Sequence, residues 1–187
     1  MQLIALAIYN RQGAVRRLDF ETGKLNILTG KSKTGKSAVL DIIDYCLGRD
    51  EVILPVGLIT DVASWFALIV SIDSGRFLIA RPNPETARNS RVMFSVGDES
   101  LNFPAMNQLQ VNTDTTVLRE QLSERIGVQQ YRIETPSNRL TAAFDVSIRQ
   151  ALFLCFQKQT EIASQQYLFH RQAEGYVRDA LRDTLPY

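Results

Sequence analysis

Residues 25–48, LNILTGKSKTGKSAVLDIIDYCLG, constrain this chain more than any other stretch. A short apolar run leads into a loop containing Gly30 and Gly35, and Lys36, Ser37 and a helical pattern follow. This is GxxxxGK[ST] in the setting it requires, strand then loop then helix. Gly30 and Gly35 permit backbone angles that a Cβ would forbid and let the main chain approach an anion closely. The amides of such a loop form a nest for phosphate oxygens. Lys36 supplies a flexible point charge for the β and γ phosphates, and the Ser37 hydroxyl suits Mg²⁺, a cation that keeps several waters and takes few protein ligands. The helix beginning at Ser37 directs its positive end at the same anion. The phosphate-binding set expected here is Gly30, Lys31, Ser32, Lys33, Thr34, Gly35, Lys36, Ser37 and Ala38. Val39, Leu40, Ile42, Ile43, Cys46 and Leu47 fall on one broad apolar helical face, and Gly48 stands where a left-handed residue commonly closes a helix.

The bulk composition bounds what surrounds this loop. A chain of 187 residues holds one core of ordinary size, or one lobe of a larger domain. With 45% hydrophobic residues, 22% charged residues and a net charge of +1, nothing announces a nucleic-acid partner, so any such contact would be a local patch or lie outside the chain. The longest apolar run, residues 63–72, is too short for a bilayer, and Met1 leads straight into an apolar segment without a charged leader. The reading is a cytoplasmic protein without a membrane partner. Cys46 and Cys155 both fall in apolar helical patterns and are expected to be inert packing residues. His170, the single histidine, is expected to pack or hydrogen-bond rather than to catalyse.

Along the chain, Gln2 to Tyr9 reads as a strand, Asn10 to Gly13 as a turn, and Ala14 to Phe20 as its antiparallel return. Thr22, Gly23 and Lys24 form a second turn, so three short strands should precede the phosphate loop. Arg11, Arg16 and Arg17 cluster beside it, either as solvated residues or as nucleotide contacts. Residues 48–60 read as a loop. Val62 to Ile72 and Arg76 to Ala80 form a hairpin around Asp73, Ser74 and Gly75, and adjacent Trp65 and Phe66 require both faces of the sheet to be at least partly covered. Residues 81–90 read as a loop, and Val92, Phe94 and Val96 as a strand ending at Gly97. Then the period changes. Asp114 caps a helix bearing Leu118, Leu122 and Ile126 and closed by Gly127; a loop with Pro136 follows. Residues 148–156 are apolar nearly all round and predict a deeply buried helix, which leads into FQKQTEIASQQ and a helical stretch to Leu185.

A phosphate-loop enzyme also needs an acidic residue at a strand end to hold Mg²⁺ and a group that orients water. Asp73 is the one candidate, and its setting favours a hairpin turn instead. No DxxG or NKxD is present, which argues against a GTPase, and LSERIG at residues 122–127 matches a glycine-rich signature only superficially.

The succession of strands, GKSKTGKS loop and helix, β meander, and apolar helix ending in a glutamine segment resembles the N-terminal half of an ABC-type ATPase head. It is most similar to the SMC, RecN and RecF group, in which a long coiled coil splits the head. The segment CFQKQTEIAS resembles the Q-loop of that group, with Gln159, Thr160, Glu161 and Ile162 at its glutamine, small, acidic and aliphatic places. TGKSKTGKSA, DIIDYCLG and CFQKQTEIA are also similar to bacterial coiled-coil SMC-like proteins encoded in multi-component antiviral defence systems. The fold class implied is an α/β P-loop NTPase. It comprises a P-loop unit over residues 1–60, an antiparallel β meander over 61–112 and a helical part with the Q-loop over 113–187. The resemblance further implies ATP and Mg²⁺ as cofactors, Lys36 and Gln159 as catalytic residues, and Ser37 and Gln159 as metal ligands. It implies as partners the chain's own C-terminal lobe, a homodimer of heads, DNA and further subunits. Walker B, the ABC signature and the switch histidine would come from the C-terminal lobe, so the 187 residues read as a fragment that binds ATP without turning it over. The arginine that SMC proteins carry after the P-loop helix has no clear match, Arg49 being near but shifted. A small-molecule kinase is an alternative, although no acidic or Arg-rich substrate lid is evident, and a non-hydrolysing nucleotide-binding interaction module is another.

Overall fold

The computed structural model describes residues 1–31, 35–50, 58–73, 75–128, 132–133 and 144–184. They divide into two compact units, residues 1–118 and 119–187.

The first unit is a mixed α/β structure on a six-stranded antiparallel sheet, with spatial order β2-β1-β3-β4-β5-β6. Its elements are β1 (Gln2–Asn10), β2 (Val15–Asp19), α1 (Lys36–Cys46), α2 (Leu58–Val62), β3 (Ala63–Ile72), β4 (Gly75–Pro82), β5 (Arg91–Gly97) and β6 (Thr113–Asp114). The two N-terminal strands thus belong to the same sheet as the meander. The alternation of side chains predicted at Trp65 and Phe66 is observed, and both sheet faces are covered. Trp65, Ala67 and Ile69 share one face with Ala7, Tyr9, Leu78 and Ala80, which Leu101, Phe103, Met106 and Leu109 cover. The Tyr9 hydroxyl fixes that cover by donating to Pro104 O at 2.8 Å. Phe66, Leu68 and Val70 alternate onto the opposite face, paired in register with Arg81, Ile79 and Phe77.

Helix α1 packs on that second face. The Tyr45 and Phe66 rings meet edge to face with centroids 6.1 Å apart, and the Tyr45 hydroxyl donates to Pro82 O at 2.8 Å. Burial pushes the Tyr45 phenol up to about 12, against the opposing field of Arg81. Arg81 was expected in a loop; instead it is the largest fully buried side chain, at the end of β4. Its guanidinium lies 3.8 Å from the centre of the Tyr45 ring and donates to the carbonyls of Tyr45, Arg49 and Asn89. A planar cation with five donors closes the C-terminal end of α1 and the chain beyond it in a way that no apolar residue could. Arg49 is also buried and pairs with Asp44 at 2.9 Å, so it is not a surface arginine.

Two further expectations change in this unit. Residues 25–29 form no strand. The Asn26 side chain folds back onto the preceding turn, accepting from Glu21 N and donating to Glu21 O and Lys24 O. Leu25 and Ile27 remain 85% and 74% exposed. Thr60 and Val62 lie in the short helix α2 rather than in loop and strand, and β3 begins at Ala63.

The second unit begins within α3 (Thr115–Arg125) and continues through the β7–β8 pair (Arg132–Ile133 and Phe144–Asp145) to α4 (Ile148–Cys155), α5 (Gln159–Ile162) and α6 (Gly175–Thr184). Asp114 caps α3 as predicted, its Oδ1 accepting from Thr116 N and Val117 N, and Gly127 closes it with φ 78°. Ser147 caps α4 with Gln150 in a capping box. Phe153 packs with Val177, Leu181 and Phe169. The prediction that α4 is buried all round is corrected: Leu154 and Cys155 are exposed, because an eight-residue helix packed on one side leaves the other to solvent. The chain from Ser164 to Glu174 runs through turns, so the helical stretch expected to Leu185 is confined to α6. The loop with Pro136, Ser74 in the hairpin, and Leu185 lie outside the described residues.

Candidate functional site

Gly35 is the N-cap of α1 and adopts φ 83°, a left-handed conformation that disfavours any residue with a Cβ. A Cβ built there would also meet Ile59 Cδ1 of α2 at 3.3 Å. This geometry turns the loop abruptly into the helix and makes Lys36 and Ser37 its first two residues. No side chain caps the helix start and no acidic residue occupies its first turn, so nothing there offsets the positive dipole end that favours an anion.

The Lys36 ammonium donates to Gly30 O at 2.8 Å and Lys31 O at 2.6 Å, which ties the helix start to the chain at Gly30 and Lys31. Ser37 is exposed, and its hydroxyl makes no hydrogen bond among the described residues. A lone hydroxyl at a helix start suits the sparse protein ligation that Mg²⁺ takes. Ala38 is buried, with its amide bonded to Gly35 O at 3.1 Å. Gly30, Lys31, Gly35, Lys36, Ser37 and Ala38 are thus gathered at one helix end, while Ser32, Lys33 and Thr34 lie outside the described residues.

A cleft of about 720 Å³ adjoins the loop. Gly30, Gly35 and Lys36 form one part of its wall; Leu6, Ile8 and Leu18 of the sheet and Val39 and Ile42 of α1 form an aliphatic part. The cleft falls between the sheet and α1 because a four-residue connection keeps β1 and β2 adjacent, and α1 covers only part of the sheet face they share.

Gln159 lies in the second unit. It is exposed and begins α5, a single turn rather than an open loop. Glu161 two residues on ties this turn down: its carboxylate accepts from Lys158 N at 2.6 Å, Arg171 N at 2.7 Å and the His170 ring Nδ1 at 2.8 Å. Burial pushes the Glu161 carboxyl up, but the amides of Arg171 and Lys158 and the His170 ring outweigh it and leave it below the usual carboxylate range. His170 is buried with Phe156 edge-on to its ring, a packing and hydrogen-bonding residue as expected. Asp73 is exposed in the hairpin at φ 52°. It therefore sits in a turn, not at the end of a strand beside the phosphate loop.

Cys46 is buried as predicted, and burial pushes its thiol up to about 12. Cys155 is not, since it lies on the open side of α4. Sequence reasoning missed Arg81; an arginine at the end of an apolar run of strand character was the available signal. Among the described residues no helix is long and apolar enough to cross a membrane, and no group of three or more His, Cys, Asp and Glu is placed to hold a metal ion. No protein-family model matches this sequence, and no curated protein matches it significantly.

Proposed function

We propose that this chain is the ATP-binding N-terminal lobe of an SMC-like ABC ATPase. The observation that carries the reading is the GKSKTGKS loop turning through left-handed Gly35 into an uncapped helix that starts with Lys36 and Ser37. The loop amides and Lys36 hold the triphosphate, with Lys36 exchanging its bonds to Gly30 O and Lys31 O for phosphate oxygens. Ser37 ligates Mg²⁺, which when bound neutralises charge on the phosphates. The resemblance adds Gln159 as a second ligand and sensor of the γ phosphate.

The residues that precede the loop support a lobe completed from elsewhere. The motif expects a strand there, yet Leu25, Ile27 and Leu28 present apolar side chains to solvent without strand pairing. A C-terminal lobe of the same protein supplies the pairing strand and the catalytic carboxylate in this reading. Two such heads close around two nucleotides, and the complete cytoplasmic protein acts on DNA with partner subunits. These last assignments rest on the resemblance.

The test is equilibrium binding of Mg-ATP to the 187-residue chain, with phosphate release followed in parallel. Wild type binds weakly and releases no phosphate, and Lys36→Ala does not bind. Hydrolysis is absent because the groups that activate water and stabilise the transferred phosphoryl are missing, and loss of even one such group costs on the order of a hundredfold in rate. Equal binding by wild type and Lys36→Ala refutes the phosphate-loop assignment. Steady hydrolysis that vanishes in Lys36→Ala refutes the need for a second lobe.

A further inference from the structure

The sequence offers two adjacent arginines, Arg16 and Arg17, with nothing to choose between them. The strand pairing separates them. Arg16 stands opposite Ile8 and Leu18 opposite Leu6, so these four share the sheet face toward α1. Arg17 stands opposite Ala7, on the other face, and its guanidinium is committed to Asp19 at 2.6 Å, Asn102 at 2.7 Å and the Phe103 ring. Both arginines contribute to the wall of the cleft beside the loop, but only the Arg16 side chain makes no hydrogen bond or ion pair among the described residues.

This cleft has the size and make-up of a small-molecule site: aliphatic walls beside a polar part with Asn10, Arg16, Thr29 and Lys36, in a volume within the range of roughly 300–1,000 Å³ typical of ligand clefts. One part carries the cation and amides that suit phosphate. The rest, with Leu6, Ile8, Leu18, Val39 and Ile42, suits a flat, weakly polar group. A nucleoside triphosphate is a ligand with just these two halves. Among the described residues no aromatic side chain lines the cleft; the Arg17 guanidinium is held by Asp19, Asn102 and the Phe103 ring, so the planar group left to cover a base is the Arg16 guanidinium, which stacks on π-faces and is weakly hydrated.

We infer that this cleft receives the nucleoside half of the triphosphate and that Arg16 lies over the base as its stacking contact. The inference deepens the proposed nucleotide binding and rests on it. The test measures binding of Mg-ATP and of inorganic tripolyphosphate to the 187-residue chain, as wild type, Arg16→Ala, Arg16→Lys and Arg17→Ala. Arg16 is exposed and unpaired, so its replacement leaves the fold intact. The expected result is a loss of about three- to thirtyfold in ATP affinity in Arg16→Ala, incompletely restored in Arg16→Lys, with tripolyphosphate affinity unchanged and Arg17→Ala like wild type. Equal losses for ATP and tripolyphosphate in Arg16→Ala would make Arg16 a phosphate ligand and overturn the inference. Unchanged ATP affinity in Arg16→Ala would overturn it too, while leaving the phosphate loop standing. Failure of both ligands to bind wild type overturns the nucleotide reading itself.

Discussion

Replacing Gly35 with alanine tests whether the left-handed turn into α1 is required for the site. The backbone there has φ 83°, and a Cβ in that region costs about 1–2 kcal/mol. The new Cβ also meets Ile59 Cδ1 at 3.3 Å, which adds a few tenths of a kcal/mol if α2 yields slightly. Against this, alanine restricts the unfolded chain and returns about 0.4–1 kcal/mol. The balance is a destabilisation of about 1 kcal/mol, or about 2–4 °C in Tm for a chain of this length. The effect on ligand binding is larger, because relief of the strain rotates the loop amides away from the anion. Circular-dichroism melting and ATP titration of Gly35→Ala, Ile59→Val and the double variant separate the terms. Ile59→Val removes the crowding methyl, so it is less destabilising in the alanine background than alone, by up to about 0.5 kcal/mol. A Gly35→Ala protein with wild-type Tm and wild-type ATP affinity refutes the reasoning, since neither the backbone angle nor the close approach would then matter.

Two other outcomes follow from the same structure. Under native conditions a thiol reagent labels Cys155 rapidly and Cys46 only after denaturation, because Cys46 is buried with its thiol pushed up to about 12; mass spectrometry of labelled peptides checks this, and rapid native labelling of Cys46 contradicts the packing of α1. Glu161 has its carboxyl held below the usual range in the fold, so its contribution to stability is fully present above its unfolded value of about 4.3 and is lost as pH falls through the lower folded value. Glu161→Gln therefore destabilises the chain at pH 7 by about 1–2 kcal/mol, a difference that shrinks in acid melts below about pH 4; an effect of equal size at pH 7 and in strong acid excludes the ionised carboxylate as its cause.

Much of the architecture follows from local chemistry. The β1–β2 and β3–β4 hairpins, the Asp114 and Ser147 caps, the start of α1 after Gly35 and its closure at Gly48 each depend on residues close in sequence, so the chain states them directly. The left-handed turn at Gly35 that makes Lys36 and Ser37 the first helical residues is likewise local, since it depends on a glycine at that one position. What needed the tertiary structure were features set by residues far apart in sequence. Burial of Arg81 depends on carbonyls at Tyr45, Arg49 and Asn89 converging on one guanidinium, which no local pattern encodes. The exposure of Cys155 depends on which side of α4 meets Val177 and Leu181. The loss of a strand at residues 25–29 reflects the same principle, since an apolar run becomes a strand only where a neighbour pairs with its backbone. Arg16 and Arg17 are equivalent as sequence; strand register alone assigns Arg16 to the sheet face toward α1 and Arg17 to the face that carries Phe103.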